Sequence, residues 1–241
     1  MIDDPSIAAI PRHVLIAGCG YLGRRTADVW RDHGTRVSVI TRSKTKAADL
    51  MEAGFDPVIA DLAGQRLPIL PEADTVLWSV GFDRSPQSSR QAVWIDGLKR
   101  LVQQLPPSIK RFLYVSSTGV YGESNGEEVN EATVPEPTTE SGRCCLQAEQ
   151  LLGQEFRDLS VDLTVLRMAG LYGPDRLLRR VADLRAATPL SGQPDSYLNL
   201  VHIDDAVAAV AALAAGGSIP LINVAHDDVR IVVIGQLCNS N

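Results

Sequence analysis

The chain has 241 residues, 45% hydrophobic and 22% charged, which is enough for one well-filled α/β core and excludes a disordered chain. Its net charge of −6, with no run of lysines or arginines, argues against a nucleic-acid or acidic-membrane surface, because both need a concentrated positive field. No basic segment precedes a long apolar stretch, and Cys19, Cys144, Cys145 and Cys238 follow no metal-ligand spacing, so the expectation is a cytoplasmic protein with reduced thiols and no metal. A vicinal disulfide between Cys144 and Cys145 is the alternative.

The first predicted element is the strand His13–Ala17, "HVLIA", far too short for a membrane span. It runs into "GCGYLG" and a helix over Tyr21–His33 that stops at Gly34. Glycines at 18, 20 and 23 between a strand and a helix suit a dinucleotide. The first allows a tight turn, the second lets backbone approach a pyrophosphate, and the third packs helix against strand. Gly18, Gly20, Tyr21, Leu22 and Gly23 are the expected contacts there, against the alternative of a plain strand–helix turn.

A second strand, Arg36–Thr41, ends in "TRSK". A carboxylate at this place would accept the adenosine ribose hydroxyls and repel a 2′-phosphate, but the tip is Thr41 and Arg42 instead. Arg42 offers a planar fork of donors to a phosphate, with Ser43 and Lys44 in support, so NADP is expected in preference to NAD. After the helix Lys44–Ala53 and Gly54, the strand Pro57–Ala60 delivers Asp61 and Leu62, placed for an adenine edge or for capping a turn.

The strand Thr75–Ser79 precedes a long helix, Gln87–Leu105, closed by Pro106 and Pro107. The strand Phe112–Ser116 then leads into Thr118–Pro137, a Gly-, Glu-, Asn- and Pro-rich loop without periodicity, of a length usually kept for function. The helix Glu140–Leu159, the strand Thr164–Arg167, the helices Arg176–Leu184 and Ile203–Ala214, and the strand Leu221–Val224 complete the pattern. Most strands are apolar at successive positions, so both faces are covered. The predicted fold is a single α/β domain over 1–241 with its core at about 12–226. It is a Rossmann doubly wound parallel sheet with helices on both faces, substrate-side segments at about 170–202 and a minimal C-terminal substrate lobe.

Four motifs follow in order: "GCGYLG", "VSSTGVYG", "LRMAGLYGPDR" and "LNLVHIDDAVAAV". Together they resemble the extended and atypical branches of the short-chain dehydrogenase/reductase superfamily, the NAD-dependent epimerase/dehydratase proteins, over His13–His226. In active members the resemblance implies a hydroxyl at Ser117 that bonds the reacting oxygen, with Ser116 beside the cofactor. A tyrosine then acts as general acid/base, and a lysine one helical turn later binds the nicotinamide ribose and lowers the tyrosine pKa.

Counting back from Glu149 in "LQAEQLL" puts those two positions at Ser141 and Cys145. A serine hydroxyl is a poor general acid near neutrality, and cysteine supplies no cation. The asparagine that relatives carry on the preceding helix is absent as well, with Trp94, Ile95 and Asp96 there. Tyr121 of the VYG motif is expected to pack or line the cleft, and in "VHIDD" an Asp is expected to cap the following helix. Arg176, Arg179 and Arg180 read either as an anion-binding cluster or as a solvated face. In many relatives the helices here spanning Gln87–Leu105 and Glu140–Leu159 form a homodimer surface, which leaves a homodimer open. Two functions stand side by side: a dinucleotide-binding or sensing protein, and an enzyme acting on a nucleotide-sugar-like or small carbonyl substrate with substituted acid/base groups.

Overall fold

The computed structural model describes residues 10–82, 89–123, 125–176, 185, 197–226 and 230–231. β1 (His13–Ala17) is followed by α1 (Tyr21–Asp32), β2 (Arg36–Thr41), α2 (Lys44–Glu52), β3 (Asp56–Ile59) and β4 (Thr75–Trp78). A π-helical turn, Gln91–Asp96, runs into α3 (Gly97–Val102), then β5 (Arg111–Ser117), a 3-10 turn at Thr118–Val120 and α4 (Glu140–Glu155). β6 (Asp162–Met168), β7 (Gly170–Tyr172), β8 (Tyr197–Leu198), β9 (Leu200–His202), α5 (Ile203–Ala215), β10 (Leu221–Val224) and β11 (Arg230–Ile231) follow.

Seven strands form one sheet in the order β10-β6-β5-β4-β1-β2-β3, every neighbouring pair parallel. This is the doubly wound order, and it reverses between β1 and β4, so a crevice opens at the carboxyl ends of those two strands. Successive side chains of the central strands go to opposite faces, as the unbroken apolar runs require. Val14 and Ile16 join Leu77, Leu113 and Leu166 against α1 and α5, through Leu22, Trp30, Val207 and Val210. Leu15 and Ala17 join Val76, Trp78, Phe112 and Val165 against α3 and α4, through Leu98, Leu101, Ala148 and Leu152. The outer strand β3 is only four residues long, contains Pro57, and has its exposed Asp56 paired with Arg36 at 2.6 Å.

Among the described residues the expected strands and the helices expected at Tyr21–His33, Lys44–Ala53, Glu140–Leu159 and Ile203–Ala214 are present, with ends moved by a few residues. α1 and α2 stop as predicted at Gly34 and Gly54, whose φ of 83° and 84° is the left-handed conformation that closes a helix. α4 ends at Glu155 rather than Leu159, because Phe156 turns inward to pack on Phe112, ring centroids 5.2 Å apart. The long helix expected over Gln87–Leu105 is a π turn joined to the short α3; its first residues lie outside the described part, as does all of the helix expected at Arg176–Leu184 except Arg176 and Arg185 beyond it. The two-residue pairing of β8 with β11 and the three-residue pairing of β7 with β9 were not expected. Cys19, Cys144 and Cys145 are free thiols, which disposes of the vicinal disulfide.

Candidate functional site

The glycine-rich turn leaves β1 at Gly18, whose φ is 96° and whose missing Cβ would lie 2.5 Å from the Ser79 backbone at the end of β4. Only glycine takes that conformation in that space. Ser79 fixes the turn from the other side, its hydroxyl donating to the Gly18 carbonyl at 2.8 Å. Gly23 sits where α1 touches β1, and a Cβ there would overlap the Gly18 carbonyl oxygen. Gly20 is different: nothing lies within 4 Å of its Cβ position, no side chain caps α1, and no acid stands in its first turn. The first N–H groups of α1 therefore face open space with the positive end of the helix dipole behind them.

Beside this turn a cleft of about 310 Å³ runs along the ends of β1, β2, β3 and β4. Its walls are apolar at Ile40, Leu50, Ala60, Leu62 and Val80, and polar at Arg24, Arg42, Lys46, Asp49 and Asp61. Of the residues expected to bind, Gly18, Arg42, Asp61 and Leu62 line it together. Asp61 also caps its own turn, Oδ1 accepting the Ala63 N–H at 3.0 Å. Ser43 faces α2 instead, its hydroxyl accepting the Lys46 N–H at 3.2 Å, and the lysine at the cleft is Lys46 rather than Lys44. Leu22 is buried in the core, leaving only its backbone for a ligand. Lys46 and Arg24 were missed; each lies one helical turn from a residue that was named, and that was the available signal.

At the other end of the crevice, Ser117 Oγ accepts the Gly119 N–H at 3.1 Å and caps the 3-10 turn. α4 is seated on this turn through Gly142, where a Cβ would overlap the Gly119 carbonyl oxygen. Thr139 caps α4 by accepting the Gly142 N–H at 3.0 Å, and Ser141 Oγ lies 3.3 Å from the Thr139 hydroxyl. One turn on, Cys145 is buried in a small apolar cluster with Val120 and Tyr121, against which Trp94, Val129 and Leu146 pack. Burial, then the charge of Glu149, pushes the Cys145 thiol up from 9.0 to about 11, against a smaller downward pull from the Ser116 hydrogen bond. Burial likewise raises Cys19 and Cys144. None of the three is a ready thiolate nucleophile.

Because the folded-state value of Cys145 is raised, the neutral thiol favours folding below about pH 9, and that contribution fades as pH climbs through about 11. Urea midpoints are expected to fall between those values in the wild type, and to fall less steeply in Cys145→Ala. Equal slopes would contradict the burial of this thiol.

Sequence inspection missed the buried polar network beneath this end. Arg167, 4% exposed on β6, forms a two-pronged pair with Glu149 of α4 at 2.7 and 3.2 Å. Ser116 Oγ donates to the same carboxylate at 2.5 Å, so the hydroxyl expected beside a cofactor is turned inward. Arg167 also donates to the Tyr121 hydroxyl at 2.9 Å, and that hydroxyl faces the acceptors Asn223 Oδ1 at 2.9 Å and the Asn130 carbonyl at 3.0 Å. Glu131 closes the set by accepting the Asn223 N–H at 2.7 Å. The 118–137 loop is thereby tied to β6 and β10. Tyr121 packs, as expected. At "VHIDD" the expectation is corrected: the cap of α5 is His202, whose Nδ1 accepts the Asp204 N–H at 3.3 Å, and not an aspartate, because Asp204 and Asp205 already lie in the helix's first turn.

With glycine turn, cleft and switch point in place, comparison with known proteins decides the family. Residues 14–225 match the NAD dependent epimerase/dehydratase family. The chain belongs to that family. Protein YeeZ of Escherichia coli K12 is 30% identical over 213 residues, covering 84% of this chain and 73% of YeeZ. Among solved structures, a Methylobacillus flagellatus protein described as an NAD-dependent epimerase/dehydratase is 28% identical with a TM-score of 0.74, covering 94% of this chain and 78% of that one. UDP-glucuronic acid 4-epimerase from Bacillus cereus, solved with NAD, shares the fold at 20% identity and a TM-score of 0.75, covering 92% of this chain and 80% of its own.

Membership implies binding of a nicotinamide dinucleotide, and the residues present fit one. The uncapped N-terminus of α1 and the empty space over Gly20 form a phosphate cradle that a Cβ would begin to fill. The adjoining cleft joins apolar walls to cationic and acidic side chains, a lining that fits a nucleoside. Among the described residues no cluster of His, Cys, Asp or Glu could hold a metal ion, and no helix is long and apolar enough to cross a membrane.

Proposed function

We propose that this protein binds a nicotinamide dinucleotide, NADP in preference to NAD, and holds or senses it without the Tyr–Lys proton relay of its active relatives. The observation that carries this reading is the state of Cys145. At the place where the resemblance calls for a cation beside the nicotinamide ribose, the chain has a buried thiol in an apolar cluster. Ser141, one turn earlier, brings a hydroxyl too short and too weakly acidic to replace a phenol. Trp94, Ile95 and Asp96 stand in the neighbouring π turn where the resemblance implies an asparagine.

The cofactor preference rests on Arg24, Arg42 and Lys46 around the cleft. Replacing Arg42 with alanine is expected to weaken NADPH about 10- to 100-fold and NADH hardly at all, since a hydrogen bond to a charged group contributes about 1.5–3 kcal/mol. Fluorescence titration of both cofactors checks this; equal losses count against a phosphate contact.

An active epimerase, dehydratase or reductase is the second reading, and the retained Ser117 beside the crevice favours it. Tight dinucleotide binding with no cofactor oxidation across carbonyl and sugar-nucleotide substrates supports the first reading; turnover supports the second. Introducing Ser141→Tyr with Cys145→Lys is expected to raise dinucleotide affinity and to yield detectable turnover if the crevice still seats a substrate.

A further inference from the structure

Tyr21 is the first helical residue after Gly20, yet its side chain turns away from the cleft toward the segment that follows β7. Its hydroxyl donates to the Pro174 carbonyl at 2.7 Å. The Arg25 and Arg176 guanidinium carbons lie 4.2 and 5.1 Å from the centre of its ring. Arg25 also donates to the Tyr21 carbonyl at 3.2 Å and stands 3.9 Å from the Asp175 carboxylate.

The segment so held would not adopt its shape unaided. Asp175 has a φ of 65°, the sole positive value at a non-glycine among the described residues. Such a residue persists only where its surroundings over-determine it. Gly173, with φ 140°, is wedged where a Cβ would come 3.0 Å from the Tyr21 hydroxyl, 2.7 Å from Ile203 and 3.2 Å from His202 Nε2. One tyrosine thus joins the phosphate-facing turn to the Gly173–Arg176 segment.

We propose that Tyr21 is a positioning residue that couples occupancy of the dinucleotide site to the placement of Gly173–Arg176. The inference rests on the dinucleotide reading of the glycine-rich turn. Two guanidiniums crowd one ring, with the Asp175 carboxylate 3.9 Å from that of Arg25, so positive charge is concentrated at the start of α1. A pyrophosphate on the first-turn N–H groups relieves that repulsion and fixes the Tyr21 backbone, which favours the clasped segment. By linkage, the clasped segment strengthens dinucleotide binding by the same factor.

Hydrogen-exchange mass spectrometry with NADPH and NADH tests this. In the wild type the dinucleotide is expected to slow exchange both at Cys19–Gly23 and at the amides of Gly173, Asp175 and Arg176. In Tyr21→Phe, which keeps the ring and removes the hydroxyl, slowing is expected at the turn alone, with affinity lowered about fivefold. Arg176→Gln leaves the turn intact and is expected to lose the segment's protection in the same way, so the test does not depend on one variant folding. Undiminished segment protection in both variants overturns the coupling and leaves dinucleotide binding standing. No protection at the turn in the wild type overturns the dinucleotide reading, and the coupling with it.

Discussion

Arg167→Met is expected to lower the unfolding free energy by about 3–5 kcal/mol, because it strands the Glu149 carboxylate in a dry site. Glu149 has two strong partners, Arg167 and the Ser116 hydroxyl, and a side chain only 9% exposed. Burial by itself disfavours the Arg167 charge, but its hydrogen bonds to Glu149 and Tyr121 outweigh that and hold the guanidinium protonated. Removing the cation leaves a buried anion with a single neutral donor. Tyr121 loses a donor at the same time, loosening its hold on Asn130 and Asn223. The double change Arg167→Met with Glu149→Leu is expected to recover most of the loss, since two apolar groups of similar volume need no desolvation. Urea denaturation of the two single variants and the double variant gives the coupling directly. If the singles and the double are equally unstable, the pair is not what holds α4 to β6.

Gly23→Ala is the second large effect, and it bears on the ligand. The added methyl overlaps the Gly18 carbonyl oxygen and meets the Ser79 hydroxyl at 2.6 Å. Neither can retreat easily. Gly18 is fixed by its own contact with the Ser79 backbone, and the Ser79 hydroxyl is bonded to the Gly18 carbonyl. Helix α1 must move outward instead, carrying its first-turn N–H groups away from the cradle. Overpacking of this kind costs about 1–3 kcal/mol in stability. Misplacing charge-assisted donors adds about 1.5–3 kcal/mol to the binding loss, or roughly 10- to 100-fold in dinucleotide affinity. Gly20→Ala is the matched control, because its Cβ position is clear of protein atoms. It should leave thermal stability nearly unchanged while weakening the dinucleotide. Matching loss of stability in both variants would show that crowding at α1 is not the cause.

Much of this architecture was legible in the sequence because burial on two faces leaves unbroken apolar runs. β1 was bounded to the residue on that ground, and the observed bounds of β2 and β10 also match those expected. The glycine turn was legible for a related reason: positions 18 and 23 admit no side chain, and a constraint on backbone space writes itself into residue identity. The π turn at Gln91–Asp96 left no such mark, since one extra residue per turn changes no residue type. The His202 cap was hidden too, because the neighbouring aspartates have the stronger capping preference.

Arg167 lies between these cases. A charged residue inside the apolar strand "TVLRMAG" announces that a partner must exist, but not that it is Glu149, eighteen positions away on another element. Ser141 and Cys145 were located from that same glutamate. Its anchoring to Ser116 and Arg167 explains why it made a dependable reference point for helix register.

The short outer strand β3 has a consequence for how molecules of this protein meet one another. A sheet whose last strand is long and flat offers its unpaired backbone groups as a template for another chain. Here that rim is four residues long, Pro57 removes one of its amide donors, and the ion pair of Asp56 with Arg36 keeps charge at its start. Such a rim is a poor template for extending the sheet into a second copy of the chain from this side.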